Sequence, residues 1–347
     1  LCPDRPEGFS LLANSFHQQG LCKQSRAAFD EALSKKTDDT TLIGNAIFSS
    51  LYSDTLSDAD ILGIHSELSL KLHKLAIQND DPVRCSVRPR NARSRIRVGY
   101  LSPDLLTHPV GYFVEPILRH HDREKFEVIC YADNASTDQL TKHLRNLELT
   151  WHECSSWNDV RLQKQIRSDK LDILIDLCGH TAKNRTMVLA GKPAPVQATY
   201  LGYPGKTERP ANDWLIADHH LCPMEQQFDS HERIARLSNC FLCYQPQPDV
   251  PAVARPPFDK NGYVTFGSFN HLAKLTDSTI QLWSRVLDAV PDSKLVLKAL
   301  PLADQETRHL TRRRFANFGI DAARIDPLPP TVPLSAWRTS EHCVAGQ

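Results

Sequence analysis

Residues 171–205 read LDILIDLCGHTAKNRTMVLAGKPAPVQATYLGYPG, and this stretch decides the fold of the chain. It opens with residues 171–177, in which only two aspartates interrupt a run of apolar side chains. Such a run predicts a strand buried on both faces, as in a parallel sheet covered by helices. The strand delivers Asp176, Gly179 and His180 to its carboxyl end, which is the edge where open α/β sheets bind ligands.

A second strand is predicted at 196–201, after a short helical piece at 184–190 that Pro193 ends. This strand runs into Gly202-Tyr203-Pro204-Gly205, whose glycines and proline indicate a rigid turn. Because parallel strands end at the same edge of a sheet, we expect both strand ends to present polar and backbone groups to one rim.

Strands and helices alternate on the amino-terminal side of this stretch. Residues 96–101 and 126–131 are predicted strands, joined by a loop that carries His108 and by a helix at 110–120. This order predicts a right-handed parallel crossover, with His108 at the carboxyl end of the first strand. We therefore predict one α/β domain over 96–245, with the 171–177 strand at its centre.

A second α/β segment is predicted over 262–347, after a proline-rich linker at 246–261. Predicted strands at 263–269 and 294–300 are each followed by a helix. Lys274 lies where the first of these helices begins, with Thr276 as its expected cap.

Residues 1–80 carry helical patterns, and Ser57 and Asp60 are the expected cap of a helix that runs to Ile77. The segment 9–33 predicts a hairpin of two amphipathic helices that turns at Gly20, and its spacing resembles a tetratricopeptide repeat. Such repeats need neighbours to bury their apolar faces, and the first residue is not Met, so we expect further repeats upstream. The polar, arginine-rich segment 81–95 is predicted to be a linker.

Composition narrows the class of protein. Lys plus Arg and Asp plus Glu are both 41, so the net charge gives no reason to expect nucleic acid or a membrane as partner. No stretch approaches the roughly 18 apolar residues of a membrane span. The single CxxC pair, Cys240 and Cys243, has no second pair or nearby His pair at zinc spacing. Cysteines in apolar strands, such as Cys130 and Cys178, indicate reduced thiols and a cytoplasmic protein.

Several closely spaced segments resemble the O-GlcNAc transferases, the family that moves N-acetylglucosamine from UDP-GlcNAc to Ser or Thr of proteins. The similarity extends over roughly residues 9–330 and includes the loop around His108 and Pro109. It is densest in Asp172-Ile-Leu-Ile-Asp-Leu177, Gly179-His-Thr181, Asn184-Arg185, Pro193-Ala-Pro-Val-Gln197, Gly202-Tyr-Pro-Gly205 and Gly267-Ser-Phe-Asn270 with Lys274.

The resemblance implies an inverting glycosyltransferase of the GT-B type, with tetratricopeptide-like helices followed by two Rossmann-like domains and an active cleft between them. UDP-GlcNAc would be the donor, and a protein or peptide would be the acceptor. No cofactor or metal is implied, and no carboxylate pair at a strand end suggests a Mg²⁺ site. The ammonium of Lys274 and a helix N-terminus would instead stabilise the charge that develops on the leaving pyrophosphate.

The resemblance also implies the site residues. His108, Asp176 and His180 are the catalytic candidates, for orienting the acceptor or handling its proton, and the base is either one of them or a phosphate of the donor. We expect His108, His180 and Tyr203 to line one cleft. The remaining expected substrate-binding residues are Lys274, Asn270, His271, Gly202, Gly205 and Thr181.

The resemblance fades after Pro330. Family members carry a Lys, a His and an Arg on the next loop and helix, whereas this chain has Thr331, Leu334 and Trp337 there, with Arg338 and His342 nearby. Ala273 also replaces a Tyr that often precedes the Lys. We therefore expect an incomplete second domain and weak UDP binding. Two alternatives stay open: a catalytically impaired remnant that binds proteins, or a transferase that uses another nucleotide sugar such as a glucose or fucose donor.

Overall fold

The computed structural model describes residues 5–36, 38–78, 94–224, 230–246 and 252–329. Residues 81–93 of the predicted linker at 81–95 and residues 247–251 of the predicted linker at 246–261 lie outside these residues. The elements, in chain order, are α1 (Pro6–Gln18), α2 (Cys22–Lys35), α3 (Thr40–Ser50), α4 (Asp58–Ile77), β1 (Ile96–Ser102), α5 (Pro109–His120), β2 (Phe126–Ala132), α6 (Gln139–Arg145), β3 (Thr150–Glu153), α7 (Asp159–Ser168), β4 (Ile173–Asp176), α8 (Thr186–Ala190), β5 (Val196–Thr199), β6 (Trp214–Ala217), β7 (Arg233–Arg236), α9 (Pro257–Asn261), β8 (Thr265–Ser268), α10 (Asp277–Ala289), β9 (Lys294–Lys298), α11 (Gln305–Ala316) and β10 (Ile325–Leu328).

The chain divides into two compact units. The larger unit comprises Asp38–Phe48 and Ser57–Pro246, and the smaller unit comprises Leu1–Thr37, Ser49–Leu56 and Gln247–Gln347. The predicted helical segment 1–80 thus contributes to both, because α1 and α2 belong to the smaller unit and α4 to the larger one.

The larger unit is built on a seven-stranded parallel sheet with the order β3-β2-β1-β4-β5-β6-β7. Strand β4 is its middle strand, which confirms the prediction that the 171–177 strand is central. From β1 the chain builds outward to β3, then returns to place β4 on the other side of β1. The direction of winding therefore reverses between β1 and β4.

Side chains of this sheet alternate between two apolar layers, one on each face. Tyr100 and Ile175 belong to one layer, and Leu101, Ile129 and Leu174 belong to the other. All of them are buried, as expected for a parallel sheet with helices on both faces. The outermost strands β3 and β7 have four residues each, with polar residues at both ends, so neither shows an apolar run that would have predicted it.

The smaller unit contains a three-stranded parallel sheet with the order β10-β9-β8. Leu295 and Leu297 of β9 pack with Ile280 of α10 and Phe315 of α11 in one apolar cluster. Helices α1 and α2 form the predicted hairpin, and Gly20 makes its turn with a φ of +74°. A Cβ on this glycine would lie 2.6 Å from the carbonyl oxygen of Leu272, so the close approach also requires glycine.

Two helices begin at the capping residues that the sequence predicts. Ser57 and Asp60 form a reciprocal capping box at the start of α4, and Thr276 caps α10 through the backbone N–H of Thr279. Both caps are confirmed predictions. Over the described ranges, no helix combines the length and apolar character that a membrane crossing requires.

Candidate active site

The loops that follow β1 and β4 lie side by side at the carboxyl edge of the larger sheet. The two strands are neighbours, with Leu101 opposite Asp176, and the strand order reverses between them. In open α/β sheets this reversal opens the crevice that receives ligands. The first loop carries His108 and the second carries His180, so both histidine candidates follow strands at this point.

Asp176 ends β4 with its carboxylate fully engaged. Oδ1 accepts the backbone N–H of Cys178 at 3.0 Å, while Oδ2 accepts the N–H of Gly179 at 3.0 Å and a 2.6 Å bond from Arg209 Nη1. Arg209 Nη2 also donates to the carbonyl oxygen of Gly179. The side chains of Asp176 and Arg209 are only 3% and 5% exposed. This pair therefore holds the turn after β4 in place.

His180 lies beneath that turn and is 2% exposed. Its Nε2 is 2.7 Å from the carbonyl oxygen of Thr207 and 3.2 Å from Ser69 Oγ on α4. Burial, and secondarily the charge of Arg209, hold the pKa of His180 well below its usual value. The ring is therefore neutral, with its proton on Nε2 facing the carbonyl and Nδ1 unprotonated.

Tyr203 is also buried, at 1% exposure, and its hydroxyl lies 2.5 Å from Nε2 of His65 on α4. His65 Nδ1 bonds the carbonyl oxygen of Ile61, so Nε2 is the acceptor and the tyrosine donates. The rings of His180 and Tyr203 meet edge to face, with centroids 5.3 Å apart. Helix α4 thus covers both side chains, and the expectation that they line one cleft with His108 stays a prediction.

The glycines of this region have different roles. Gly179 has a φ of +58°, and a Cβ there would lie 2.3 Å from Cβ of Tyr203. A Cβ on Gly202 would lie 2.0 Å from the carbonyl oxygen of Leu177. Both positions thus need glycine for packing. A Cβ on Gly205 would meet open space, so packing does not require glycine at that position.

His108 caps α5 and is the most exposed of the catalytic candidates, with 41% of its side chain accessible. Its Nδ1 accepts the N–H of Val110 at 3.3 Å and lies 3.8 Å from Asp104 Oδ2. Partial burial lowers the pKa of His108, although the carboxylate of Asp104 acts in the opposite direction. Burial also raises the pKa of Asp104. The neutral ring presents an Nε2–H donor.

The motif residues after His180 hold the second loop to the sheet. Thr181 Oγ1 donates to the carbonyl oxygen of Cys178 at 2.8 Å. Arg185 makes a bidentate pair with Asp133 at the end of β2 and a further pair with Asp159. The hydroxyl of Thr181 is thus committed to its own loop in this structure.

Sequence reasoning missed a group of buried polar residues around the loop after β5. Glu232 accepts the N–H and hydroxyl of Thr207 and the amide of Asn212, and burial raises its pKa. Glu208 accepts a 3.1 Å bond from Ser66 of α4. A glutamate followed by an arginine in a loop with two prolines offered no periodic signal, so only the fold reveals that Glu208 and Arg209 are interior.

The smaller unit holds the predicted donor-binding residues around a cavity of about 110 Å³. Asn270, His271, Lys274, Lys298 and Trp283 contribute to its lining. Burial lowers the pKa of Lys274, and in the described part of the chain its ammonium has no carboxylate partner. A pocket with two lysines, an amide and an imidazole suits a phosphate-bearing ligand.

His271 supports this pocket from its edge. Its Nδ1 accepts the N–H of Ala273, and its Nε2 lies 3.0 Å from Gln18 Oε1 of α1. Burial, followed by the charge of Lys274, lowers the pKa of His271, so the ring is neutral. The positions at which the resemblance fades, Thr331, Leu334, Trp337, Arg338 and His342, lie outside the described residues.

The chain belongs to glycosyl transferase family 41, whose family model matches residues 48–251. That match spans all seven strands of the larger sheet and both loops at the strand-order reversal.

Individual relatives give the comparison more detail. The chain is 40% identical over 238 residues to the probable UDP-N-acetylglucosamine–peptide N-acetylglucosaminyltransferase SPINDLY of Arabidopsis thaliana, covering 67% of this chain and 26% of that protein. It is 34% identical over 309 residues to the protein of the same name from Oryza sativa subsp. japonica, covering 87% of this chain and 33% of the relative. A solved structure of a Thermobaculum terrenum O-GlcNAc transferase mutant superposes with a TM-score of 0.84 at 30% identity, covering 97% of this chain and 64% of that one. The chain thus spans a quarter to a third of these curated relatives.

Proposed function

We propose that this protein transfers N-acetylglucosamine from UDP-GlcNAc to the hydroxyl of Ser or Thr in a protein or peptide. The observation that carries the proposal is the match to glycosyl transferase family 41 over the whole larger sheet. The names of the relatives supply the donor and the acceptor class. The architecture proposed is of the GT-B type, with a tetratricopeptide-like hairpin and a second Rossmann-like domain, and the compartment proposed is the cytoplasm.

The donor pyrophosphate is proposed to bind in the cavity of the smaller unit. Lys274 supplies an ammonium there, with Asn270 and His271 on the same lining. A lysine whose pKa is lowered by burial has lost part of its hydration, so an incoming phosphate recovers an interaction that water no longer provides. The family resemblance assigns the same role to this lysine.

The acceptor is proposed to be oriented by His108. Its neutral ring carries a proton on Nε2 and therefore donates a hydrogen bond rather than accepting a proton. The acceptor oxygen attacks C1 of the sugar, the bond from C1 to the phosphate oxygen breaks, and the configuration at C1 inverts. A phosphate oxygen of the departing UDP takes the hydroxyl proton.

Asp176 and His180 are proposed to position this site, since both are buried, with Asp176 bonded to the turn after β4 and His180 bonded to the carbonyl oxygen of Thr207 in the loop after β5. Tyr203, Thr181, Gly202 and Gly205 are proposed to shape the acceptor side through the backbone of the two loops. No metal or other cofactor takes part in the reaction proposed, because lysine supplies the charge that the pyrophosphate needs.

The test is a transfer assay with the purified protein, UDP-GlcNAc and Ser/Thr-rich peptides. A mass gain of one N-acetylhexosamine on the peptide, unchanged by a chelator, is the expected result. UDP-glucose and GDP-fucose are run in parallel to examine other sugars. Binding of an acceptor peptide without transfer from any donor would instead support the impaired, protein-binding alternative.

Lys274→Ala should weaken UDP binding by about 10- to 100-fold, because a charge-assisted hydrogen bond contributes roughly 1.5–3 kcal/mol. Calorimetric titration of UDP measures this change. Lys260→Ala is the matched control, since Lys260 is an exposed lysine of the same unit. Equal affinities for the two variants would remove Lys274 from the donor site.

A further inference from the structure

Among the buried polar atoms of the larger unit that have no hydrogen-bond partner in the described part of the chain, three belong to residues that line one small cavity. They are His73 Nδ1 on α4, Gln197 Oε1 on β5, and Arg209 Nε. The cavity has a volume of about 10 Å³ and is also lined by Ser69 and Asn212. Buried polar groups in native proteins are nearly always hydrogen bonded, so three such atoms at one cavity need a common explanation.

The bonds of neighbouring atoms fix the roles of two of these three. Gln197 Nε2 donates to two backbone carbonyl oxygens, at 3.0 and 2.9 Å, and this orientation leaves Oε1 as an unpartnered acceptor on a residue that lines the cavity. The guanidinium of Arg209 is always protonated, so its Nε–H is a donor. Any species bound here must therefore accept from the arginine and donate to the glutamine.

These requirements exclude most ligands. An inorganic cation would be repelled by the positive guanidinium of Arg209. An anion would be repelled by the partial negative charge of the Gln197 carbonyl oxygen. An organic molecule exceeds the volume. Water accepts and donates at once, and roughly 10–15 Å³ is enough to hold it. His73 Nδ1 supplies the third contact in either role, according to its tautomer.

We propose that one water molecule is a permanent part of this site and bridges helix α4, strand β5 and Arg209. This water is important because it contacts Arg209, a residue that also binds the end of the central strand. The other two nitrogens of this side chain fix Asp176 and Gly179 at the end of the central strand. The water therefore connects α4 to the strand end that carries the candidate active site.

A crystal structure at about 1.5 Å resolution tests the proposal directly. The expected result is a density peak within about 2.7–3.2 Å of all three atoms. Crystals soaked in bromide should show no anomalous peak at that position. Density showing the three side chains bonded to each other or to other protein groups, or an anomalous bromide peak, would overturn the assignment.

A solution measurement with arginine labelled by ¹⁵N gives a second readout. The Nε–H signal of Arg209, identified by its loss in Arg209→Lys, should show a direct cross-relaxation peak to water. His73→Phe removes one partner and fills the cavity, so the peak should disappear. His120→Phe replaces an exposed histidine at the end of α5 and should leave it unchanged. Persistence of the peak in His73→Phe would contradict the proposal, and the crystallographic test does not depend on that variant folding.

Discussion

The side chain of Arg209 joins three parts of the larger unit. Two of its nitrogens bind Asp176 and Gly179, the third has no partner in the described part of the chain, and the residue lines the small cavity beside α4. A buried ion pair contributes little net stability against an apolar replacement of both partners, but removing one partner leaves an uncompensated charge in the interior. Replacing Arg209 alone should therefore lower the free energy of unfolding of the larger unit substantially.

Arg209→Ala should lower the free energy of unfolding of the larger unit by about 3–5 kcal/mol, since the carboxylate of Asp176 stays buried without its partner. Urea denaturation followed by tryptophan fluorescence measures the loss. The control is Arg145→Ala, which breaks the exposed pair with Glu153 and should cost less than about 1 kcal/mol. Similar losses in the two variants would show that the Arg209 pair is not desolvated.

His17 in the smaller unit should make the stability of that unit depend on pH. It is 6% exposed, and its Nδ1 lies 3.3 Å from Ser49 Oγ. Burial, followed by the nearby His271, lowers the pKa of His17 to about 4 from its ordinary 6.5. A histidine whose folded-state pKa is depressed stabilises the fold above the unfolded pKa and loses that contribution as the pH falls toward the folded value.

Between pH 7.5 and pH 5, the wild-type protein should lose about 2 kcal/mol more unfolding free energy in the smaller unit than His17→Gln does, because only the histidine must stay neutral in the fold. Denaturant titrations at the two pH values measure the difference. His309→Gln, at an exposed position of the same unit, should follow the wild type. A His17→Gln variant with the wild-type pH dependence would contradict the low pKa.

At the scale of elements, helix α4 organises the loops of the larger sheet. His65, Ser69 and His73 recur every four residues and so lie on one face of the helix. The first contacts Tyr203, the second contacts Thr207 and His180, and the third lines the small cavity. One helix face thus covers the turns after β4 and β5.

Ser57→Ala should remove the capping box of α4 and lower the unfolding free energy of the larger unit by about 1 kcal/mol. The loss arises because the backbone N–H of Asp60 no longer has its acceptor. Urea titration with Trp151, Trp157 and Trp214 as probes measures it. Ser136→Ala, at an exposed loop position, serves as the control and should be neutral. An undiminished stability in Ser57→Ala would mean that tertiary packing alone holds the helix start.

At the scale of the whole molecule, the central strands of the larger sheet are packed more deeply than its edge strands. Strand β4 has hydrogen-bonded neighbours on both sides and apolar layers on both faces. Strands β3 and β7 lie at the edges, with exposed residues at both ends. Amides in the most deeply packed strands open only with the largest unfolding events.

Hydrogen exchange should therefore be slowest in β1, β2, β4 and β5 and fastest in β3 and β7. Exchange followed by mass spectrometry on peptides that isolate each strand gives the order. Protection of β3 equal to that of β4 would contradict the strand order described here.

Local pattern was enough to predict the framework of this protein. The apolar run at 171–177 predicted the central strand, Gly20 predicted the hairpin turn, and Ser57 and Thr276 predicted two helix starts. Each of these depends on residues adjacent in the chain, where periodicity and turn chemistry act directly. The family resemblance rested on the same short segments, and family membership was confirmed.

The interior of the site was decided by contacts between residues far apart in the chain. The bond from His65 to Tyr203 spans 138 positions, and that from Arg209 to Asp176 spans 33. Nothing within either neighbourhood shows that α4 buries the turn after β5, so the burial of Tyr203 and His180 could not be predicted from the sequence. A histidine or an arginine has the same local preferences in water and in the interior, because its partner, and not its neighbours in sequence, supplies the energy that keeps it buried.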